Sequence, residues 1–280
     1  MGRYVRPTDL TEALAALAAG PLTILAGGTD FYPARVGRAI TEDILDVSAL
    51  ASLRGIADAG DHFRFGATTT WSDIAKAPLP PCFDGLKLAA REVGGVQIQN
   101  AGTVAGNLCN ASPAADGIPP LMALDAVVEL RSHDAGRAVP LAEFVLGNRR
   151  TTRRPEELVT AIRVPKPARE ARSTFLKLGA RRYLVISIVM VAAVLEIEKG
   201  VVAAAGIAVG ACSAAARRLP ALEAALVGRA FIPGLGAAVE DSHLSPLAPI
   251  DDVRGSADYR RDAARTLVAR ALDSLAAGRP

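Results

Sequence analysis

The chain has 280 residues, half of them hydrophobic, and a formal net charge of +3. This length exceeds that of most single domains, so we expect two domains. The small charge excess comes mainly from arginine and argues against a nucleic-acid-binding protein. The densest arginine cluster, RRTTRR at 149–154, contains no aromatic residue. We interpret it as a solvated loop or a partner-facing surface.

Cysteine usage and the longest apolar segment favour a protein of the reducing cytoplasm. Cys82, Cys109 and Cys212 lack the spacing of a disulfide framework, a zinc ribbon or an iron–sulfur cluster. The first ten residues, MGRYVRPTDL, do not resemble a secretory signal. The apolar stretch 183–195 is too short to span a bilayer and predicts a buried strand. We therefore expect a cytoplasmic protein with no membrane insertion and no metal site.

The first part of the chain alternates predicted helices and strands. Thr8 can cap a helix that places Leu10, Leu14 and Leu17 on one apolar face. The other predicted elements are strands at 22–26, 44–47, 62–66, 126–130 and 158–164, and a helix at 84–93. The first fifty residues accordingly predict a small β-α-β-α-β unit.

A Pro-Lys-Pro segment at 165–167, followed by charged residues, is the best candidate for a domain boundary. The elements predicted beyond it are strands at 174–178, 187–198 and 201–209 and helices at 221–227 and 258–275. This second region predicts a small antiparallel sheet backed by helices.

Two separated segments combine glycine, threonine and an Asn or Asp residue. The first is LAGGTDF at 25–31, after a predicted strand, and the second is TVAGNLCNASPAAD at 103–116. Glycines allow close approach of a ligand to the backbone and positive φ angles. Successive N–H groups, with the threonine hydroxyl, form a site for an anion. We therefore expect both segments to hold a diphosphate, mainly through backbone groups and with few cations nearby.

Other chemistries lack the residues that they require. His62, His133 and His243 lie in strand-like or polar surroundings, and no G-x-S-x-G, H-E-x-x-H or paired cysteine occurs. A Walker-type ATPase and a Rossmann site are disfavoured because neither glycine pattern is present. On these residues alone, glycine-rich turns of an ordinary α/β protein remain an alternative to a nucleotide site.

The order of five motifs narrows these alternatives. The motifs are AGGTD at 26–30, TVAGNLCNASPAAD at 103–116, IPPL at 118–121, FLKLGARR at 175–182 and DDVRGSADYR at 251–260. Together they resemble the flavin-binding medium subunit of the molybdenum hydroxylases, of the carbon monoxide and xanthine dehydrogenase type. The resemblance covers nearly the whole chain. It implies an α+β protein: an FAD-binding fold of the vanillyl-alcohol oxidase (PCMH) type at 1–167, with subdomains at about 1–55 and 56–167, and a small α+β C-terminal domain at 168–280.

The resemblance also implies the contacts of the cofactor. Residues 26–30 and 103–107 would hold the diphosphate, and Asp116 would bond hydroxyls toward the adenosine or ribityl portion. Val159 would pack near the adenine, and Lys177 would reach the flavin side. The full predicted set is Ile24, Leu25, Ala26, Gly27, Gly28, Thr29, Asp30, Phe31, Thr103, Val104, Ala105, Gly106, Asn107, Asp116, Val159 and Lys177.

Three positions depart from the pattern of the family. Ala105 stands where relatives often have glycine, which is tolerable only if its φ is negative. Gln99 stands where an arginine is frequent, and Val185 lies near the place where some relatives have an aromatic residue against the flavin ring. These departures leave FAD as the expected cofactor but change the expected contacts.

The function implied by the resemblance is electron transfer within a complex. The expected partners are a molybdopterin-binding large subunit and a 2Fe-2S small subunit, in a hetero-oligomer such as a dimer of heterotrimers. Electrons would pass from the clusters through FAD to a terminal acceptor, with no acid–base catalytic residue on this chain. The alternatives are a free-standing flavin oxidoreductase of the same fold and a flavin-free scaffold subunit. A large exposed apolar surface would favour either reading that places the chain in a complex.

Overall fold

The computed structural model describes residues 2–278. The helices are α1 (Leu10–Ala18), α2 (Trp71–Lys76), α3 (Asp84–Glu92), α4 (Val96–Ala101), α5 (Val104–Asn110), α6 (Ile118–Ala123), α7 (Leu141–Phe144), α8 (Pro220–Leu226) and α9 (Ala257–Ala276). The strands are β1 (Tyr4–Val5), β2 (Thr23–Leu25), β3 (Ile44–Asp46), β4 (Ile56–Asp58), β5 (His62–Gly66), β6 (Val127–Arg131), β7 (Gly136–Pro140), β8 (Val145–Gly147), β9 (Arg150–Thr151), β10 (Leu158–Pro165), β11 (Glu170–Leu178), β12 (Val189–Glu198), β13 (Val201–Gly210) and β14 (Arg217–Arg218).

The N-terminal unit is a three-stranded parallel sheet in the order β1-β3-β2, joined to α1. Asp9, not Thr8, caps α1, because the Asp9 carboxylate accepts a hydrogen bond from the Thr11 N–H at 2.7 Å. The predicted second helix of the β-α-β-α-β unit is wrong. The chain between β2 and β3 contains only a short 3₁₀ turn at Pro33–Arg35, where proline starts the turn but the following glycine-containing segment does not continue it.

The second sheet is antiparallel and has the order β4-β5-β10-β6-β7. Its centre is β10, where residues 158–162 are all buried. A strand paired on both sides and covered on both faces has the continuous apolar sequence seen here, LVTAI. Helices α2, α3, α5 and α6 pack around this sheet and contribute Trp71, Leu86, Leu108 and Leu121 to one core.

The C-terminal sheet is antiparallel, as predicted, and its strands have the order β11-β12-β13-β14. One face forms a core with α8 and α9 that includes Val191, Leu222 and Leu272. The predicted strand from 183 is wrong over its first residues, because 183–187 form a loop and β12 begins at Val189. Leu184 has a φ of 51°, and its carbonyl accepts a hydrogen bond from Arg181 Nε at 3.1 Å, which holds this turn.

The other face of the C-terminal sheet packs directly on the first region. The Gly85 N–H donates to Ser173 Oγ at 2.8 Å, and a Cβ on Gly85 would lie 2.7 Å from the Thr174 carbonyl oxygen. Arg218 donates to the Met122 carbonyl at 2.9 Å and to Asp125 at 2.6 Å. The last strand of the second sheet, β10, ends at Pro165, and the first strand of the C-terminal sheet, β11, begins at Glu170. This supports the bounds 1–167 and 168–280, which stay predictions. Within residues 2–278, no helix is long and apolar enough to cross a membrane.

A bidentate ion pair between β7 and the turn before β10 predicts a pH-dependent stability. Glu157, 4% exposed, accepts from Arg137 Nε at 2.6 Å and Nη2 at 2.8 Å. The hydrogen bond from Arg137 lowers the pKa of Glu157. Its stabilisation is present above the unfolded carboxyl pKa of about 4.3 and is lost as the pH falls through the lower folded pKa. We expect Glu157→Gln to reduce the free energy of unfolding by about 1–3 kcal/mol at neutral pH.

Urea denaturation of both proteins across the acid range tests this expectation. The difference between wild type and Glu157→Gln should disappear once Glu157 is protonated in the folded protein. The exposed neighbour Glu156 supplies the matched control, and Glu156→Gln should change little at any pH. A deficit of Glu157→Gln that is equal in acid and at neutral pH would show that the carboxylate charge does not cause it.

Candidate functional site

A cleft of about 740 Å³ lies between the N-terminal unit and the second sheet, and both glycine-containing segments line it. This volume lies within the range of about 300–1,000 Å³ that is usual for ligand sites. Part of its wall is apolar and includes Leu22, Val47, Leu158 and Val159. The remainder is formed by backbone groups, small side chains and several arginines.

The first segment leaves the end of β2 and touches the backbone that precedes the second. Gly28 has a φ of 72°, a conformation that favours glycine. A Cβ on Gly27 would overlap the carbonyl oxygen of Ala101 and lie 2.6 Å from the carbonyl carbon. Glycine at 27 is therefore required by the approach of two backbone segments, which closes one side of the cleft.

The second segment begins a helix rather than the glycine loop that the sequence suggested. Thr103 caps α5, and its Oγ1 accepts a hydrogen bond from the Gly106 N–H at 3.1 Å. Ala105 lies within this helix and has no positive φ, so its methyl group is tolerated. Gln99 donates from Nε2 to the Arg91 carbonyl at 2.9 Å. The amide of Gln99 thus bonds the last turn of α3 and does not line the cleft.

Most of the predicted cofactor residues lie together at this cleft. Those that line it are Ile24, Leu25, Ala26, Gly27, Gly28, Thr29, Asp30, Phe31, Thr103, Ala105, Gly106, Asn107 and Val159. Val104 is fully buried beneath the wall, and its N–H donates to the Thr69 carbonyl at 2.9 Å. Asp116, Lys177 and Val185 are outside the lining. Direct contact of any of these residues with a cofactor stays a prediction.

Asp116 and Lys177 form a buried ion pair between the two halves of the chain. Lys177 Nζ lies 2.7 Å from Asp116 Oδ2, and the two side chains are 6% and 9% exposed. Ser187 Oγ donates to Asp116 Oδ1 at 2.8 Å. Burial raises the pKa of Asp116, while the ammonium of Lys177 and the hydroxyl of Ser187 act in the opposite direction. The Asp116 carboxylate therefore connects the end of the second glycine-containing segment to Lys177 and Ser187, which lie on either side of the loop 179–186.

Among residues 2–278, four arginines line the cleft, and three of them belong to the run 149–154, which we interpreted from its sequence as a solvated loop or a partner-facing surface. The fourth, Arg35, pairs with Glu42. The hairpin of β8 and β9 and the turn that follows it bring Arg149, Arg150 and Arg153 to the cleft. Arg149 Nη2 lies 3.0 Å from Asp30 Oδ2, although the two residues are 119 positions apart. No local pattern could have indicated this contact.

Comparison with known proteins gives the family. Residues 1–167 match the model of the FAD binding domain in molybdopterin dehydrogenase, and residues 174–275 match the model of the CO dehydrogenase flavoprotein C-terminal domain. The chain belongs to the family of the FAD binding domain in molybdopterin dehydrogenase. Its FAD binding domain contains the whole lining of the cleft, and its flavoprotein C-terminal domain contributes Lys177 and Ser187 to the buried ion pair.

Relatives match over nearly their full length. The glyceraldehyde dehydrogenase medium chain of Sulfolobus acidocaldarius is 30% identical, with 98% of each chain covered. The carbon monoxide dehydrogenase medium chain of Afipia carboxidovorans is 33% identical over 96% of this chain and 95% of its own. A solved structure, carbon monoxide dehydrogenase from Hydrogenophaga pseudoflava lacking the Mo-pyranopterin moiety of the molybdenum cofactor, is similar with a TM-score of 0.89. It is 29% identical over 100% of this chain and 98% of that one.

The residues present fit FAD. Asn107 lines the cleft, and its Oδ1 is buried without a hydrogen-bond partner in the protein. A buried amide oxygen of this kind costs stability unless a donor reaches it, and a ligand hydroxyl or N–H group is such a donor. The apolar wall suits an aromatic ring, and the arginines suit phosphate groups.

Proposed function

We propose that the chain is the FAD-binding medium subunit of a molybdenum hydroxylase complex and that it transfers electrons between a partner subunit and a terminal acceptor. The observation that carries this proposal is the single cleft formed by both family segments. When bound, FAD supplies the redox chemistry, and the protein supplies binding and orientation. The cofactor-binding set predicted from the sequence is part of the proposal.

The chain's own residues have three tasks at the cleft. The close approach of Gly27 to Ala101 fixes the two segments relative to one another. The Thr103 cap orders the first turn of α5, so that the backbone groups of residues 103–107 are held in place before a ligand arrives. Leu22, Val47, Leu158 and Val159 exclude water from the apolar wall.

Partners are proposed from the names of the relatives and from the exposed surface. "Medium chain" in the relatives' names implies larger and smaller companions, which we propose are a molybdopterin-binding subunit and a 2Fe-2S subunit. Tyr183, Leu184 and Ile186 expose between 55% and 62% of their surfaces, and Val253 exposes 99%. Exposed apolar groups of this size support a chain that works in a complex. We propose the cytoplasm as its location, because its three cysteines are free.

The relatives also indicate where specificity is determined. Proteins similar over nearly the whole length are named for glyceraldehyde and for carbon monoxide, which share little chemistry. We therefore propose that the substrate is selected on another subunit. A free-standing flavin oxidoreductase would instead need an ionisable group above the flavin that is available for proton transfer. Asp30, the one carboxylate among the described residues of the lining, is paired with Arg149.

Titration of the full chain with FAD tests the proposal. Trp71 is the only tryptophan, is 1% exposed and lines the cleft. We expect near-stoichiometric flavin absorbance in the protein fraction, together with quenching of the Trp71 emission, because flavin absorbs in the range where tryptophan emits. Absence of binding, even with the neighbouring subunits present, would reject the electron-transfer function and favour a flavin-free scaffold.

Cys109 reports whether bound FAD occupies this cleft. It lines the cleft, whereas Cys82 and Cys212 are buried elsewhere. Burial raises the pKa of the Cys109 thiol to about 11, so labelling with iodoacetamide requires alkaline pH. Saturating FAD should protect Cys109. Labelling that proceeds at the same rate with FAD bound would place the cofactor outside the cleft.

A further inference from the structure

The arginine cluster of the β8–β9 hairpin has charges that the rest of the cleft does not neutralise. Among the described residues of the lining, the ionised side chains are Asp30, Arg35, Arg149, Arg150 and Arg153. Arg35 is neutralised by Glu42, with Nη2 and Oε1 2.5 Å apart. Arg149 is neutralised by Asp30 at 3.0 Å. Arg150 and Arg153 therefore remain as two uncompensated positive charges.

The two remaining arginines differ in how firmly they are held. Arg153 Nη1 donates to the carbonyl oxygens of Arg154 at 2.9 Å, Pro155 at 3.3 Å and Glu157 at 2.7 Å. These acceptors are neutral, so they orient the guanidinium without cancelling its charge. Arg153 also lies near Cys109 in the cleft, where its charge acts to lower the pKa of that thiol. The Arg150 side chain lines the cleft and has no hydrogen bond or ion pair with another residue of 2–278.

A diphosphate matches this arrangement in charge and chemistry. Each phosphate of a dinucleotide carries about one negative charge. Guanidinium groups present several N–H donors in a planar fork that fits phosphate oxygens. The glycine-containing segments offer backbone N–H and threonine hydroxyl donors, which are neutral and therefore bind phosphate oxygens without cancelling their charge. Cations at the same cleft lower the cost of removing that charge from water.

We propose that Arg150 and Arg153, which lie on the β8–β9 hairpin and the turn after it, bind the diphosphate of FAD. The proposal rests on the FAD-binding function given above. Arg153 is the preset cation, and Arg150, which has no protein partner, moves onto the phosphates when the cofactor enters. Arg149 is a positioning residue, because its pairing with Asp30 joins the hairpin to the first glycine-containing segment.

Substitution of Arg150, with a matched control four residues away, tests the proposal. Arg154 belongs to the same arginine run and is exposed, but it does not line the cleft. We expect Arg150→Gln to raise the Kd for FAD about 10- to 100-fold, as for the loss of a charge-assisted hydrogen bond. Arg150→Lys should recover part of the affinity, and Arg154→Gln should bind FAD as the wild type does. Arg153→Gln should act in the same direction as Arg150→Gln.

Two readouts separate phosphate binding from a structural role. The Kd for riboflavin, which has no phosphate, should change less than about twofold in Arg150→Gln. Added NaCl should weaken FAD binding to the wild type more steeply than to Arg150→Gln, because one fewer charge is screened. Equal losses for FAD and riboflavin, or wild-type affinity for FAD in Arg150→Gln, would overturn the arginine site while leaving the FAD function intact. A wild-type chain that binds no FAD, alone or with its neighbours, would overturn both.

Discussion

Lys177→Met should reduce the free energy of unfolding by about 3–5 kcal/mol, the usual cost of leaving one member of a buried ion pair without its partner. Asp116 would retain only the hydrogen bond from Ser187, in a site where 9% of its side chain is exposed. Burial already raises the pKa of Asp116, and removal of the ammonium should raise it further. Denaturant unfolding followed by circular dichroism measures the loss.

The sign of the pH effect follows from that raised pKa. A carboxyl group whose folded pKa lies above its unfolded value binds a proton more readily in the folded state, so stability falls as the pH rises between the two values. The deficit of Lys177→Met should therefore be largest at neutral pH and should shrink in mild acid. The double variant Asp116→Asn/Lys177→Met has no charge at this buried site and should recover much of the loss. A double variant as unstable as Lys177→Met would show that shape, and not charge, determines the cost.

The same variants test the proposed cofactor contacts of this pair. Asp116 and Lys177 were expected at the cofactor because of the family resemblance, yet the structure satisfies them with one another and with Ser187. A stable double variant with wild-type affinity for FAD would assign them a structural role. Weakened binding by a folded double variant would support the contacts.

Periodic and apolar segments allowed the longer regular elements to be predicted from the sequence. The strand over 62–66 and the helices near 84–93, 221–227 and 258–275 agree with the structure within two residues at each end. These elements are determined by local patterns and by burial on one or two faces. The short helices α2, α4 and α5 were missed, because six or seven residues give too little periodicity and their stability comes from tertiary packing.

The glycine-containing segments of the site were predicted from the sequence, whereas the arginines that line the same cleft were not. Residues 24–31 and most of 103–107 line one cleft, as expected from two glycine-containing segments. The run 149–154 was interpreted as a solvated loop or a partner-facing surface because it contains no aromatic residue. The hairpin of β8 and β9 brings Arg149 to Asp30, which lies 119 positions away in the sequence. Asp116 shows the converse, since its motif was clear but its partner Lys177 comes from the other half of the chain.

Gly27→Ala should be the most damaging single-methyl substitution at the cleft. The added Cβ would overlap the Ala101 carbonyl oxygen and lie 3.0 Å from Gly102 Cα, and a backbone cannot move aside as a flexible side chain does. Relief of the overlap requires the first segment to shift away from the second. We expect a loss of about 3 kcal/mol in the free energy of unfolding, at the upper end for overpacking. FAD affinity should fall by about 100-fold, which corresponds to a similar free energy.

The control is a glycine of the same domain that has room for a side chain. Gly20 follows α1, has no positive φ and has no atom within 4 Å of an added Cβ. Gly20→Ala should leave both stability and FAD affinity close to those of the wild type, so any general effect of alanine is excluded. Measurement of the unfolding midpoint and of the FAD Kd for each variant separates folding from binding. Gly27→Ala with wild-type values for both would show that the two segments need not approach as closely as they do here, and that neither folding nor FAD binding requires glycine at this position. A folded Gly27→Ala that has lost only FAD would instead show that the segment shifts without unfolding, and that its position sets the affinity.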